Sequence, residues 1–591
     1  MGDSFLGVER SLTGKRWQAK PCDQRLGLAI SQRSRLPEVV GRVMASRGVG
    51  LDEAESFLDP KLIDLLPDPS HLKGMDEGCE RLAGAVMQGE RIAVFGDYDV
   101  DGATSSALLV RFLRAVGGKP RIYIPDRIKE GYGPNGTALL KLKEDGCSVV
   151  VTLDCGTSAH DPLGVAARAG LDVIVVDHHE AESSLPPAVA VINPNRLDED
   201  SPHGHMAAVG VAFLLVVGLN RTLRGAGWYA TRKEPDLKRW LDLVALGTVC
   251  DVVPLLGVNR VLVRQGLKVM ADRENTGLRA LIDVTGIDEA PNAYHAGFIL
   301  GPRINAGGRV GASDLGANLL SEDDPIRAGE IAQYLDTLNR ERQDIESRVL
   351  EDALAGIEAS GAAEAPLILA QGEDWHPGVI GIVAARIKEK FNRPACVVSL
   401  DGEKGTGSGR SITGVDLGAM IIAARQAGIL IKGGGHAMAA GFTVERERIE
   451  ELRLFLSERA GDFLAALPTV PSLYLDGCVT VGAANMGLIS SLRRLEPFGS
   501  GNPEPRFAFS AARLAVADVV GRDQSHLRCV LEGEDGKRLN AIAFRCMDNE
   551  MGKALRHHDG APFHIAGRLR ENVWQGRSSA QLMIDDAAPV W

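Results

Sequence analysis

RIAVFGDYDVDGATSSALLVRFLRAVG, residues 91–117, decides the fold, because a short apolar strand, an acidic turn and a helix from Ala103 follow one another without a break. The strand RIAVF ends in GDYDVDG, so Asp97, Asp99 and Asp101 stand at its carboxyl end. The same unit recurs downstream. RIYIP (121–125) reads as a second strand, and CSVVVTL (147–153) as a third that runs into Asp154. After the helical stretch DPLGVAARAG (161–170), DVIVV (172–176) runs into Asp177, His178 and His179. Apolar strands alternating with helices predict a parallel sheet covered on both faces. Ligands of such sheets bind beyond the carboxyl ends of the strands, so the three acidic clusters are expected to face one crevice. Further helices are predicted over 205–219 and 237–250, and Asp251 follows the apolar LDLVALGTVC (241–250).

Outward from this block the pattern changes three times. Residues 1–75 read as a mainly helical leader, and 76–320 form the α/β catalytic domain. Residues 325–359 predict one long helix with an apolar stripe at Ile331, Leu335, Leu338, Ile345 and Val349, within a linker of 321–359. A second α/β lobe covers 360–468, with strands LILA and ACVVSL and a closing charged helix near 445–465. Residues 469–591 carry about five strand-like segments and one helix, the pattern of an OB-type barrel. The expected fold class is therefore α/β: two α/β lobes joined by a long helix, plus a C-terminal OB-type β-barrel. Phe498, Phe507, Phe509 and Trp574 in that last region read either as base-stacking platforms or as core.

With 591 residues the chain is too long for one core. Its 45% apolar and 24% charged residues are those of a globular protein, and no apolar run of membrane-spanning length or signal-peptide core is read from it. The nine cysteines are scattered without a CxxC pair, which argues against a disulfide framework and a structural zinc site and fits the cytoplasm. Cys155 and Cys250 adjoin acidic residues and read as small buried hydrophobes. The net charge of −12 argues against a generally basic, nucleic-acid-coating surface, so any such partner has to be held by local Arg and Lys. No GxxxxGK[ST] loop occurs, which removes an ATP-driven helicase.

Clustered carboxylates repel one another, and divalent cations remove that cost. A carboxylate and imidazole set without thiolate suits Mn²⁺ or Mg²⁺, and two such ions about 3.5–4 Å apart can drive an in-line attack on phosphorus. The alternative of an EF-hand loop fails, because position 12 counted from Asp97 is Leu108. Cationic candidates lie in PDRIKEGYGPN (Arg127), in GPRINAGGR (Arg303, Asn305, Arg309), read as a glycine-rich loop, in GTGSGRSI (Ser408, Arg410) and in IKGGGHAMAAGF (His436). Glycines admit backbone N–H groups close to phosphate, and Arg grips it with a bidentate fork.

GDYDVDG, TLDCGT, VDHHE and GTVCDVVPL, in this order, resemble the four motifs of the DHH phosphoesterase family. WHPGVIGIVAARI, GSGRSI and GGGHAMAAGF resemble its DHH-associated domain, and EPFGSGNPEP (496–505) the entry to the OB domain of its single-stranded-DNA exonuclease branch. The resemblance implies a catalytic set of Asp99, Asp101, Asp154, His178, His179 and Asp251. All but His179 would ligate a pair of divalent ions, with Asp154 bridging and Asp97 at the edge of the set, and His179 would contact the substrate phosphate. It also implies that Arg127, Ser408 and Arg410 grip a 5′ phosphate, and that Arg303, Asn305, Arg309 and His436 hold the strand. Some members carry a histidine four residues before Asp99. Phe95 stands there in this chain, which implies unequal affinities of the two ion sites.

The activity so implied is 5′→3′ hydrolysis of single-stranded DNA to 5′-mononucleotides in repair and recombination, by a monomer working with a single-strand-binding protein and a helicase and without a membrane. Two other readings stay open at this point: a two-lobe phosphodiesterase for oligoribonucleotides or cyclic dinucleotides, and an inactive single-strand-binding scaffold.

Overall fold

The computed structural model describes residues 4–127, 129–466, 470–574 and 576–590. The chain divides into two units, one of Met1–Pro67, Val252–Arg264 and Pro468–Trp591, the other of Asp68–Asp251 and Gln265–Leu467. Its first strand, β1 (Arg16–Ala19), pairs with a strand from the far end of the sequence.

In the second unit, β2 (Arg91–Gly96), β3 (Lys119–Tyr123), β4 (Cys147–Leu153), β5 (Asp172–Val176) and β6 (Ala190–Ile192) form a wholly parallel sheet in the order β3-β2-β4-β5-β6. Both faces are covered, which explains why β4 and β5 read as continuous apolar runs. One face packs Ala93, Phe95, Val150 and Val173 against Leu139, Leu142 and Leu163 of the helices Gly136–Glu144 and His160–Arg168. The helices Met75–Gln88, Val100–Ala115 and Ala208–Gly225 pack on one another and on the strands. Ala208–Gly225 is long and apolar enough to cross a membrane by length and composition, contrary to the expectation from sequence. With 72% of it buried, it is a core helix of this unit.

From β2 the chain crosses to β3 on one side and returns to β4 on the other. The carboxyl ends of β2 and β4 therefore flank a topological switch point, the place where open α/β sheets bind ligands.

The long helix is Pro325–Ser360, 36 residues or about 54 Å at 1.5 Å per residue. Its ends carry ordinary start and stop signals: Asp324 accepts from Ile326 N at 2.9 Å, Pro325 opens the first turn and Gly361 leaves at φ +68°. The second lobe follows as β7 (Ile368–Glu373), β8 (Ala395–Asp401), β9 (Lys404–Arg410), β10 (Leu430–His436) and β11 (Ala439–Glu445), ordered β10-β11-β9-β8-β7, with β7 and β8 parallel and the rest antiparallel.

The first unit contains the C-terminal barrel. β12 (Ser472–Leu475) runs parallel to β1, and β13 (Gly477–Cys478) parallel to β14 (Phe507–Val520). β14, β15 (His526–Glu532), β16 (Arg538–Ala543), β18 (Arg577–Pro589) and β17 (Phe563–Trp574) then close into a five-stranded barrel through the β14–β17 pairing, as in an OB domain. Phe507 and Phe509 are fully buried in its core and Phe498 packs against that core, so none of these three is a free platform, and the side chain of Trp574 lies outside the described residues. Ile30, Val40, Val43 and Met44 of the leader are part of the same core.

Candidate metal centre

Each acidic motif is positioned by the element it ends. Asp99 caps the helix Val100–Ala115, its Oδ1 accepting from Gly102 N at 3.0 Å. A side chain at Gly102 would meet the backbone of Asp97 at 2.5 Å, so the turn requires glycine there. Asp101 is buried in the first turn of that helix, and its carboxylate accepts from Ala208 N at 2.6 Å and Val209 N at 2.9 Å, two free donors at the start of Ala208–Gly225. Asp154 leaves β4 at φ +63°, a left-handed conformation that turns its carboxylate into the switch point. His178 is fixed by a 3.0 Å contact from Nδ1 to Met206 O, and Asp251 closes the helix Leu241–Cys250.

These side chains converge. Asp97, Asp99 and Asp154 form one group, Asp154, His178 and His179 a second, and Asp101, His178 and Asp251 a third, each with ligand-capable atoms within 4.8 Å of one another. His178 Nε2 stands 3.3 Å from Asp154 Oδ1 and 4.0 Å from Asp101 Oδ2, and its Nδ1 is 3.7 Å from Asp251 Oδ2. Asp154 belongs to two of the groups and His178 to two, the arrangement of a shared pair of cation sites.

The electrostatics fit a cation. Asp97 Oδ1, Asp154 Oδ1 and Asp251 Oδ2 are buried with no hydrogen-bond partner among the described residues, a costly state for a carboxylate unless a cation satisfies it. Burial, and then mutual repulsion, hold the carboxyls of Asp97, Asp101 and Asp154 well above the usual range. Burial and Asp99 push Asp251 up to about 7. Burial, followed by the neighbouring His179, keeps His178 below its ordinary value and hence neutral, as a ligand must be.

His179 behaves differently. Burial disfavours its charge, but Asp177, 2.7 Å from Nδ1, outweighs burial and raises its pKa. Asp177 in turn is held below the carboxylate range. Burial opposes this, and the bond to His179 together with the backbone N–H of Thr157 prevails. Asp177 also accepts from His178 N at 2.8 Å, so it fixes the backbone of His178 as well as the ring of His179. Phe95, four residues before Asp99, is fully buried and stacks on Tyr123 at 5.2 Å.

A cationic cluster flanks the acids. Burial, then Arg127, Arg342 and Arg410, bring Arg309 down to about 10, and burial and Arg127 lower Arg410. Arg410 Nη1 lies 3.3 Å from Ser408 Oγ, Arg127 covers the ring of Tyr98 at 4.9 Å, and Arg309 donates to Gly378 O at 3.0 Å.

The glycine-rich stretches are regular elements. GPRINAGGR is the helix Gly301–Val310, and GTGSGR and IKGGGH are β9 and β10. Their glycines serve close packing. A side chain at Gly308 would meet Tyr98 O at 2.8 Å, one at Gly307 would meet Ala312 O at 3.0 Å, and one at Gly407 would overlap the Phe442 ring. Arg303 is held by Asp336 at 2.9 Å on the long helix, Asn305 is half-buried on the same helix as Arg303, and His436 is exposed at the end of β10. Besides the orienting role of Asp177, two residues carry no signal in the sequence. Tyr132 donates its hydroxyl to Asp154 O at 3.0 Å and sits in the GYGPN segment beside Arg127. His376 of WHPG has its imidazole pKa lowered by burial and by Arg127.

A parallel α/β domain with an acid and histidine cluster at its switch point, followed by a mixed second lobe, defines the DHH phosphoesterases. The family models agree: "DHH family, N-terminal domain" matches residues 91–248, "DHHA1 domain" 364–462 and "RecJ OB domain" 475–586. The chain is 36% identical over 580 residues to the single-stranded-DNA-specific exonuclease RecJ of Bacillus subtilis, covering 97% of this chain and 71% of that protein. To RecJ of Dickeya dadantii it is 38% identical, covering 94% and 96%. The crystal structure of RecJ from Thermus thermophilus in complex with Mn²⁺ superposes with a TM-score of 0.80 at 30% identity, covering 97% of this chain and 79% of that one. The chain belongs to the RecJ family, and it is a nuclease of the DHH type.

Proposed function

We propose that this nuclease removes 5′-mononucleotides from the 5′ end of single-stranded DNA, using divalent cations. The observation that carries the reading is the juxtaposition of metal-holding groups built around Asp154 with the half-buried arginine cluster of Arg127, Arg309 and Arg410. Asp97, Asp99, Asp101, Asp154, His178 and Asp251 would hold Mn²⁺ or Mg²⁺, as the manganese-bound relative supports, and the ions supply Lewis acidity toward a phosphodiester.

The protein's own groups do the positioning. Asp177 fixes the ring of His179 through Nδ1 and raises its pKa, so that the imidazole can present an N–H to a non-bridging phosphate oxygen. Arg410, Ser408 and Arg127 offer a socket for a phosphate. A terminal phosphate carries more charge than an internal one, so the socket selects an end and fixes the polarity. Arg303 and Asn305 continue the cationic and polar lining along the strand. The names of the relatives support single-stranded DNA as substrate, and the free cysteines suit a reducing cytoplasm. Work as a monomer in repair and recombination, with a single-strand-binding protein and a helicase, belongs to the same reading.

End-labelled digestion of single-stranded and duplex DNA with Mn²⁺, Mg²⁺ or chelator tests it. Mononucleotides released from the 5′ end of single strands, only with metal, are expected. Release from the 3′ end, or equal attack on duplex, overturns the assignment of polarity or of strand preference.

A further inference from the structure

Only 5% of the residues are aromatic, and two of them are presented to solvent side by side. Tyr294 and Phe298 stack at 5.2 Å between centroids with 23° between planes, while 53% and 72% exposed. A stacked pair of rings left open in this way costs solvation that burial would remove, so core packing does not account for it. The backbone beneath them is unusual too. His295–Leu300 is a turn of π-helix leading directly into Gly301–Val310, the helix of Arg303, Asn305 and Arg309, and π-turns concentrate at functional sites.

The π-turn is tied to the metal centre. Cys250, the residue before Asp251, donates its thiol to Ala296 O at 3.4 Å, and Gly301 comes so near that a side chain there would meet Cys250 Sγ at 2.5 Å. The exposed rings are therefore continuous with the element that places Asp251 and with the helix of cationic groups.

We propose that Tyr294 and Phe298 form a nucleobase-stacking platform for the single strand entering the metal centre. The proposal rests on the reading of the substrate as single-stranded nucleic acid. Every base has a π-face, so stacking suits a nuclease that must accept any sequence, whereas hydrogen bonds to base edges would impose one. Ring area on an element that also carries Arg303 and Arg309 matches the alternation of bases and phosphates along a strand.

The test uses the full-length, Mn²⁺-loaded enzyme and a 5′-phosphorylated DNA strand in which one abasic nucleotide is moved stepwise from the end. In the wild type, KM is expected to rise on the order of tenfold when the abasic position falls on the platform. Phe298→Ala and Tyr294→Ala are expected to raise KM on intact strands by a similar factor with little change in kcat, and to lose the abasic penalty. Phe298→Trp should restore both. Both side chains are largely exposed, so the thermal midpoint should stay put in all variants. If the wild type cleaves the strand and the variants keep its KM and its abasic profile, the platform is refuted and the substrate reading survives. If the wild type neither binds nor cleaves single strands, both fall together.

Discussion

At the scale of single residues, Asp154 has two separable burdens. Its carboxylate serves two ligand groups, and its backbone sits at φ +63°, where a Cβ is penalised and Asn or Asp are tolerated best. Asp154→Asn removes the charge and keeps the backbone preference, whereas Asp154→Ala removes both. Each is expected to cut the rate of cleavage on the order of 10³-fold or more while leaving binding of DNA largely intact. Only Asp154→Ala should also lower stability, by about 1 kcal/mol. Cleavage near the wild-type rate in either variant would overturn the site. Arg410 is argued to recognise a terminal phosphate beside Ser408. Arg410→Ala should lower the ratio of kcat/KM between 5′-phosphate and 5′-hydroxyl strands about tenfold. An equal loss on both ends would show that Arg410 holds the strand without reading its terminus.

At the scale of elements, the parallel sheet and the acid-bearing strand ends were legible because local signals agreed: apolar runs, the spacing of helices, and carboxylates at the strand termini. The convergence of Asp97, Asp101 and Asp154 follows from the rule that such strands open on one crevice, whereas Asp251 joins them from the end of a helix. GPRINAGGR misled because glycine has two uses, turning and close approach, and the sequence does not say which. Here the approach of Tyr98 decides it, and the segment is helical. The role of Asp177 is not legible in the sequence, since its donor Thr157 becomes a neighbour only once β4 and β5 are paired.

The helix Leu241–Cys250 hides a further titration. Asp242 is buried near its start, and burial pushes its carboxyl up to about 7. A carboxyl whose folded pKa exceeds its unfolded value stabilises below the unfolded pKa, near 4, and that contribution is lost as pH rises through about 7. In the presence of saturating Mn²⁺, stability should therefore fall by roughly 2–3 kcal/mol between pH 5 and pH 8. Asp242→Asn should flatten that slope. Denaturant unfolding at the two pH values checks it, and an identical slope in the variant would dismiss the role of Asp242.

At the scale of the whole molecule, the leader is structurally part of the C-terminal barrel unit, a relation no local pattern reveals because the pairing joins opposite ends of the sequence. Trp17 on β1 is fully buried and donates Nε1–H to Asp586 Oδ2 at 2.8 Å, while Asp586, itself fully buried, accepts from Ala587 N at 2.8 Å. Arg16–Ala19 pairs along its length with Ser472–Leu475. Trp17→Ala would both empty a large core site and leave a buried carboxylate short of a donor, a combined loss of about 4 kcal/mol or more. Trp17→Phe keeps most of the volume and isolates the lost hydrogen bond, about 1–3 kcal/mol. The barrel and the α/β lobes have separate hydrophobic cores, so the loss should be confined to one of them. Urea unfolding followed by circular dichroism should show one transition moving to lower denaturant in Trp17→Ala, less so in Trp17→Phe, with the other transition fixed. A common shift of all transitions would mean that the two units unfold as one, and would remove the argument that residues 4–67 belong with the barrel.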